Sequence, residues 1–171
     1  MRLFSRTLPH PFAESEALRR GRYGVIEVAN GRLVAIHLRP WPKIVSALEA
    51  EWRGRRWHAR KPGDRCLVYY NQPRRFSNFL ALQYVVSQRD CTLATLRCAL
   101  QVLDEVACVK RTDAILCDAR NPRISGRLLA RCGWEPHHPQ RWHRHYIKRF
   151  YGLYPAPRTE MTGVSVPAAA C

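Results

Sequence analysis

Apolar and polar positions divide the chain into short segments of two kinds. "YGVIEVANGRLVAIHL" (23–38) holds two β-branched runs separated by Asn30-Gly31. That dipeptide supplies the two positive φ angles of a type I′ turn, which predicts a β-hairpin. In "KIVSALEAEW" (43–52), Ile44, Leu48 and Trp52 recur every four residues, the spacing of one helical face. "CLVYY" (66–70) reads as a short strand. "FLALQYVV" (79–86) is apolar almost throughout, as expected of a strand buried on both faces. A long helix is predicted over 92–110, where Leu93, Leu96, Leu100, Leu103 and Ala107 recur at three- and four-residue steps, with Asp90 or Thr92 as its cap. "DAILCD" (113–118) predicts another buried strand. Asn121 then stands as the cap of a helix whose first residue is Pro122, where a missing amide hydrogen costs nothing. Ile124, Leu128 and Cys132 share a face of that helix, and Gly133 is placed to end it. "RHYIKRFYG" (144–152) alternates as a final strand.

Between these segments, Pro9 and Pro11 make residues 1–21 a loosely ordered lead-in. Residues 53–65 form a basic loop with a Pro62-Gly63 turn, and 71–78 a connection. Residues 153–171 read as a disordered tail. The expectation is one domain over 22–152 without internal repeats, an α/β (α+β) fold with a mixed sheet. At 171 residues the chain is large enough to bury a core. No apolar run reaches the length of a membrane span. The positively charged start lacks the apolar stretch of a secretory signal, so the expected location is cytoplasmic. The seven cysteines include no Cys-x-x-Cys pair, which excludes a zinc ribbon or thioredoxin-type motif. Cys98 and Cys117 lie inside apolar runs, so reduced core thiols are expected.

From 79 onward the chain resembles the GNAT (Gcn5-related N-acetyltransferase) superfamily. Its series is strand, long helix, strand, short helix, strand, and Asn121, Arg131 and Gly133-Trp134 stand where that family carries Asn, a basic residue and Gly-Phe. The resemblance covers about residues 79–150. It implies a GNAT-like fold and acyl transfer from acetyl-CoA, or another acyl-CoA, to an amine; no metal is expected. It further implies that the carrier's pantetheine runs along the strand containing Leu82, Val85 and Val86. The carrier's pyrophosphate would rest on Ser87, Gln88, Arg89, Thr92, Ala94 and the amides opening the long helix, with Asn121 nearby. The family's phosphate turn is Arg/Gln-x-x-Gly-x-Gly/Ala. Aligned from Arg89, Thr92 and Ala94 stand at its glycine positions. Where many members have a Leu-Tyr pair that protonates the departing thiolate, this chain has Leu128-Leu129.

Amine acylation needs a proton acceptor beside the thioester. Glu27, Asp118, Tyr70 and Tyr84 lie in or next to predicted central strands, and Tyr84 and Asp118 are the catalytic candidates. Structural roles compete with this. Asp118 would then bond amides near the helix cap, and Tyr84 would be a core tyrosine with its hydroxyl at the sheet edge. His137, His138, His143, His145 and Cys132 match no standard zinc spacing.

The formal net charge of +16 changes the picture most. It attracts nucleic acid, acidic proteins and anionic cofactors. Two stretches mix arginine with aromatics: "WRGRRWHARK" (52–61) with Arg53, Arg55, Arg56 and Trp57, and "RWHRHYIKRFY" (141–151) with Arg141, Arg144 and Lys148. Guanidinium groups pair with phosphate while rings stack on unpaired bases. In the second stretch Trp142, Tyr146 and Phe150 share a side with Arg144 and Lys148, which points to an exposed surface. The expectation is therefore an acyl-CoA-dependent N-acyltransferase, or a descendant retaining the fold with weak CoA binding, whose basic exterior selects an acidic or nucleic-acid acceptor. The alternative is a non-catalytic RNA- or DNA-binding protein on the same fold.

Overall fold

A computed structural model describes residues 6–41, 63–119, 124–138 and 144–156. The strands are β1 (Arg6–Leu8), β2 (Tyr23–Ala29), β3 (Arg32–Arg39), β4 (Arg65–Asn71), β5 (Phe79–Ser87), β6 (Ala114–Asp118), β7 (Glu135–Pro136) and β8 (His145–Arg149). They form one eight-stranded sheet in the order β1-β3-β2-β4-β5-β6-β8-β7. β5 and β6 pair in parallel, and every other pairing is antiparallel. The helices are α1 (Ser15–Arg20), α2 (Leu93–Lys110) and α3 (Gly126–Arg131). This is the mixed α/β sheet that the pattern predicts.

The hairpin turns at Asn30 and Gly31 with φ of 51° and 71°, as a type I′ turn requires. α2 lies on one face of the sheet. Its Cys98, Ala99, Val102, Leu103 and Val106 pack with Ile26, Val28, Ile36, Cys66, Val68, Leu80 and Ile115. Leu93, expected on that face, is 45 % exposed, while Thr95 in the same turn is the buried residue. The C-terminal end of α2 is bound to the chain start: Lys110 Nζ donates to the carbonyls of Arg19 (3.1 Å) and Gly21 (2.6 Å).

The lead-in is more ordered than expected. β1 pairs with the edge of β3, and Leu8 and Leu18 are fully buried. Their burial depends on α2 and β3, far away in sequence, so no local periodicity announces it. At the other end, Tyr154 stacks on Phe150 at 5.0 Å and donates to the carbonyl of Thr112, so the beginning of the expected tail is also packed. The expected helix over 43–52 lies outside the described residues.

α3 starts later than predicted. Ser125, rather than Asn121, is its cap, and its Oγ accepts from the Leu128 amide at 3.2 Å. Gly133 (φ 80°) ends the helix as expected, with the amides of Gly133 and Trp134 bonded to the carbonyls of Ala130 and Leu129. β5 also departs from its prediction. Leu80 is buried, but most of the strand is half-exposed and Gln83 is exposed. Gln83 is an extra residue between the pairs Tyr69–Tyr84 and Tyr70–Leu82, a β-bulge.

Candidate functional site

The parallel pairing of β5 and β6 runs from Phe79–Ala114 to Leu82–Cys117 and ends there. β5 continues to Ser87 along β4, and β6 ends at Asp118. The carboxyl ends of parallel strands are where open α/β sheets leave a crevice for ligands. The bulge at Gln83 sits on one lip of this fork. The pleat directs Val68, Tyr70, Ile115 and Cys117 toward α2, so Tyr69, Tyr84 and Asp118 occupy the opposite face. Tyr84 follows the bulge on one lip, and Asp118 is the last residue of the other. The two catalytic candidates thus share one face at the point where their strands part. Both are half-buried. Tyr70, a third candidate, points the other way, fully buried among core residues with its side chain against Gly24. Burial pushes its phenol well above the usual range.

The residues that resemblance assigns to the carrier do not all converge on that fork. Leu82 and Val85 pack into the core on the α2 side, and Val86 lies on the opposite face. Ser87 pairs with Cys66. Gln88 is buried: its amide bonds to the carbonyl of Arg65, and its side chain covers Gly63. Arg89 and Ala94 are exposed. Asn121 lies outside the described residues.

Thr92 is already engaged. The Asp64 carboxylate accepts from the Thr92 amide (2.8 Å), the Thr92 hydroxyl (2.9 Å) and the Thr95 hydroxyl (2.7 Å). The Thr95 hydroxyl in turn accepts from the Gly31 amide at 2.8 Å, and the Thr92 hydroxyl caps the Thr95 amide. A second link joins the Asn30 amide to the Asp64 carbonyl at 2.8 Å. One carboxylate thus joins the hairpin turn, the start of β4 and the N-terminus of α2. Burial would raise the Asp64 carboxyl, but the Thr92 amide and the hydroxyls of Thr95 and Thr92 outweigh it and hold the group below its ordinary range. The helix end expected to hold phosphate already holds an anion from the same chain. The sequence carries no signal for this, since Asp64 lies in the basic stretch, remote from Thr92.

A second polar cluster lies on the face opposite α2. Glu27 pairs with His37 Nε2 (2.7 Å) and Arg65 (2.8 Å), and His37 Nδ1 lies 3.0 Å from the Thr7 hydroxyl. Cross-strand register places Leu67 between Glu27 and Val86, so this cluster is separated from the fork by a strand.

The basic C-terminal stretch has a structural role where it is described. Tyr146 and Phe150 are buried. Lys148 points with them into the core, donating to Asp104 of α2 (2.6 Å) and to the Cys132 carbonyl (2.8 Å). Arg144 donates to the carbonyls of Ala119 (3.0 Å) and Ile124 (2.9 Å), clamping the chain between β6 and α3. The alternation correctly places these charges beside the aromatics, but the face is a core face and Asp104 supplies the neutralising charge. Arg53, Arg55, Arg56, Trp57, Arg141 and Trp142 lie outside the described residues. Among the described residues, no group of three histidine, cysteine or carboxylate side chains could hold a metal ion, and no helix is long and apolar enough to cross a membrane. Comparison with protein-family models, curated proteins and solved structures found no match.

Proposed function

We propose that the chain is a GNAT-like N-acyltransferase that takes its acyl group from acetyl-CoA or another acyl-CoA at the β5/β6 fork. The observation that carries this reading is the parting of the parallel strands beyond Leu82 and Cys117, with Tyr84 and Asp118 on its two lips. The amine attacks the thioester carbonyl directly. Asp118 accepts the amine proton and the Tyr84 hydroxyl supplies one to the thiolate, giving amide and free thiol. The bulge at Gln83 re-aims backbone groups beside the reacting carbonyl, where an amide stabilises the oxyanion. A formal charge of +16 favours an anionic acceptor.

Asp64 modifies this reading. The carrier's pyrophosphate would meet a carboxylate at the N-terminus of α2, so the carrier is gripped mainly along β5 and only weakly. Two unit charges about 4 Å apart repel by about 1 kcal/mol in water and more near a protein surface. Asp64→Ser is therefore expected to tighten CoA binding on the order of tenfold. Calorimetric titration with acetyl-CoA tests the reading, with desulfo-CoA as competitor and ATP as control. Weak binding that desulfo-CoA blocks, ATP does not, and Asp64→Ser strengthens supports it. No heat at millimolar acetyl-CoA with either protein overturns it.

A further inference from the structure

The connection between β4 and β5 carries an exposed aromatic side chain on a hydrogen-bonded loop. Phe76 is 61 % exposed, and Arg74 and Arg75 immediately before it are exposed too. The loop is nevertheless pinned at both ends. Gln72 Nε2 donates to the Ser77 carbonyl at 2.6 Å, and the Phe79 amide to the Phe76 carbonyl at 3.1 Å. The Asn78 side chain donates to Asp113 at 2.9 Å while the Asp113 amide returns to the Asn78 carbonyl at 2.7 Å. Gln72 itself is tied to the Arg22 carbonyl (2.7 Å) and to Lys110 (3.2 Å).

The loop borders a half-open, wholly apolar cavity of about 270 Å³, lined by Pro73, Phe76, Phe79, Leu80, Ala81 and Leu116. That volume admits a planar ring, and its walls offer nothing to read a base edge by hydrogen bonding. The surroundings are cationic. Arg22, whose carbonyl holds the Gln72 amide, and Arg111, two residues before Asp113, are both exposed. Burial, and then the charge of Arg22, bring the Lys110 ammonium down to about 8.

We propose that the Arg74-Arg75-Phe76 loop and the apolar cavity beside it form a binding site for single-stranded nucleic acid. One base stacks on Phe76 at the cavity mouth, and Arg74 and Arg75 engage the flanking phosphates. Charge complementarity selects the occupant: an apolar peptide would use the cavity but not the arginines, and a duplex would offer phosphates but no free base face. Because the walls are apolar, binding is tolerant of sequence. The site goes beyond the transferase reading, and its test needs no acyl donor.

The test is fluorescence anisotropy with a labelled oligothymidylate. Affinity is measured from about 50 to 200 mM salt, where single-strand binding loses roughly 0.7 units of slope per phosphate contact. The variants are Phe76→Ala, Phe76→Trp and Arg74→Ala/Arg75→Ala, with Arg127→Ala on α3 as the control. Phe76→Ala is expected to weaken binding on the order of tenfold with the salt slope unchanged, and Phe76→Trp to retain it. The double arginine variant should lower the slope by about 1.4 units, as two lost phosphate contacts require. Three outcomes overturn the proposal: Phe76→Ala and Arg127→Ala behaving alike, a duplex or polyglutamate binding as tightly as the single strand, or no binding at the lowest salt.

Discussion

Replacing Asp64 by alanine tests whether one carboxylate fastens three parts of the fold together. The substitution removes an acceptor for the Thr92 amide, the Thr92 hydroxyl and the Thr95 hydroxyl. A hydrogen bond to a charged group contributes about 1.5–3 kcal/mol when desolvated. Asp64 is only half-buried, and water replaces part of what is lost. The Thr92 hydroxyl still caps the Thr95 amide, and Gly31 still donates to Thr95. A loss of about 2 kcal/mol is the expected result, which lowers the melting temperature by roughly 4–8 °C in a domain of this size. Asp64→Asn keeps an acceptor for the Thr92 amide but removes the charge at the helix N-terminus, so it should cost about 1 kcal/mol. The sign of the pH dependence follows from the depressed folded-state value. The contribution is present above the unfolded carboxylate value of about 4 and is lost as the pH falls through the lower folded value. Urea melts at neutral pH and at about pH 3 measure this, and the gap between wild type and Asp64→Ala should narrow in acid. Equal stabilities at neutral pH, or a gap that ignores pH, would refute the junction.

The buried Lys148–Asp104 pair should behave asymmetrically. Lys148→Met strands the carboxylate and costs about 3–5 kcal/mol, whereas adding Asp104→Leu recovers most of that loss, which a double-mutant cycle in urea measures. Burial raises the Asp104 carboxyl to about 6, against the pull of Lys148. Its folded value lies above the unfolded one, so its contribution is fully present below about pH 4 and lost as the pH rises through 6; Asp104→Asn should flatten that slope. Gly133→Ala places a side chain at φ 80° with its Cβ 3.2 Å from Lys148 Cε and should destabilise by at least about 1 kcal/mol in thermal melts. Tyr70→Phe runs the other way: the hydroxyl is buried without a hydrogen-bond partner among the described residues, so its removal should gain up to about 1 kcal/mol.

Short-range signals in the sequence are borne out by the structure. Asn30-Gly31 turns as its backbone preferences require, Thr92 caps α2, and Gly133 ends α3. The expectations that fail depend on distant partners. Leu8 and Leu18 sit among prolines and charges and are buried only because β3 and α2 reach them. Pro122 favours a helix start that Ser125 takes instead. The run 79–86 is apolar enough for a strand covered on both faces, yet β6 leaves it after Leu82 and the bulge exposes Gln83. Tyr84 and Asp118 are candidates because they lie in or beside predicted central strands, and the fold brings both to one fork. At the phosphate end the sequence gives no sign that Asp64 bonds Thr92 and Thr95.

The distribution of charge makes one argument of these features. The chain has 13 acidic side chains against 29 lysines and arginines. Much of the acid is tied to particular partners: Asp64 to α2, Glu27 to His37 and Arg65, Asp104 to Lys148, Asp113 to Asn78, Glu135 to Arg149 and Glu14 to Arg6. Arg22, Arg74, Arg75, Arg89, Arg97, Arg111, Arg127 and Arg131 remain exposed. The positive exterior follows from the excess of basic over acidic side chains, a net charge of +16, and it repels itself. Any polyanion should relieve that repulsion, which makes salt-sensitive affinity alone a weak sign of specific recognition. A feature that charge does not explain is needed to identify a partner. Phe76, exposed on a hydrogen-bonded loop beside an apolar cavity, is such a feature, because its stacking survives the salt that screens the arginines. The loss on Phe76→Ala at high salt is thus the quantity that separates a recognition site from a field.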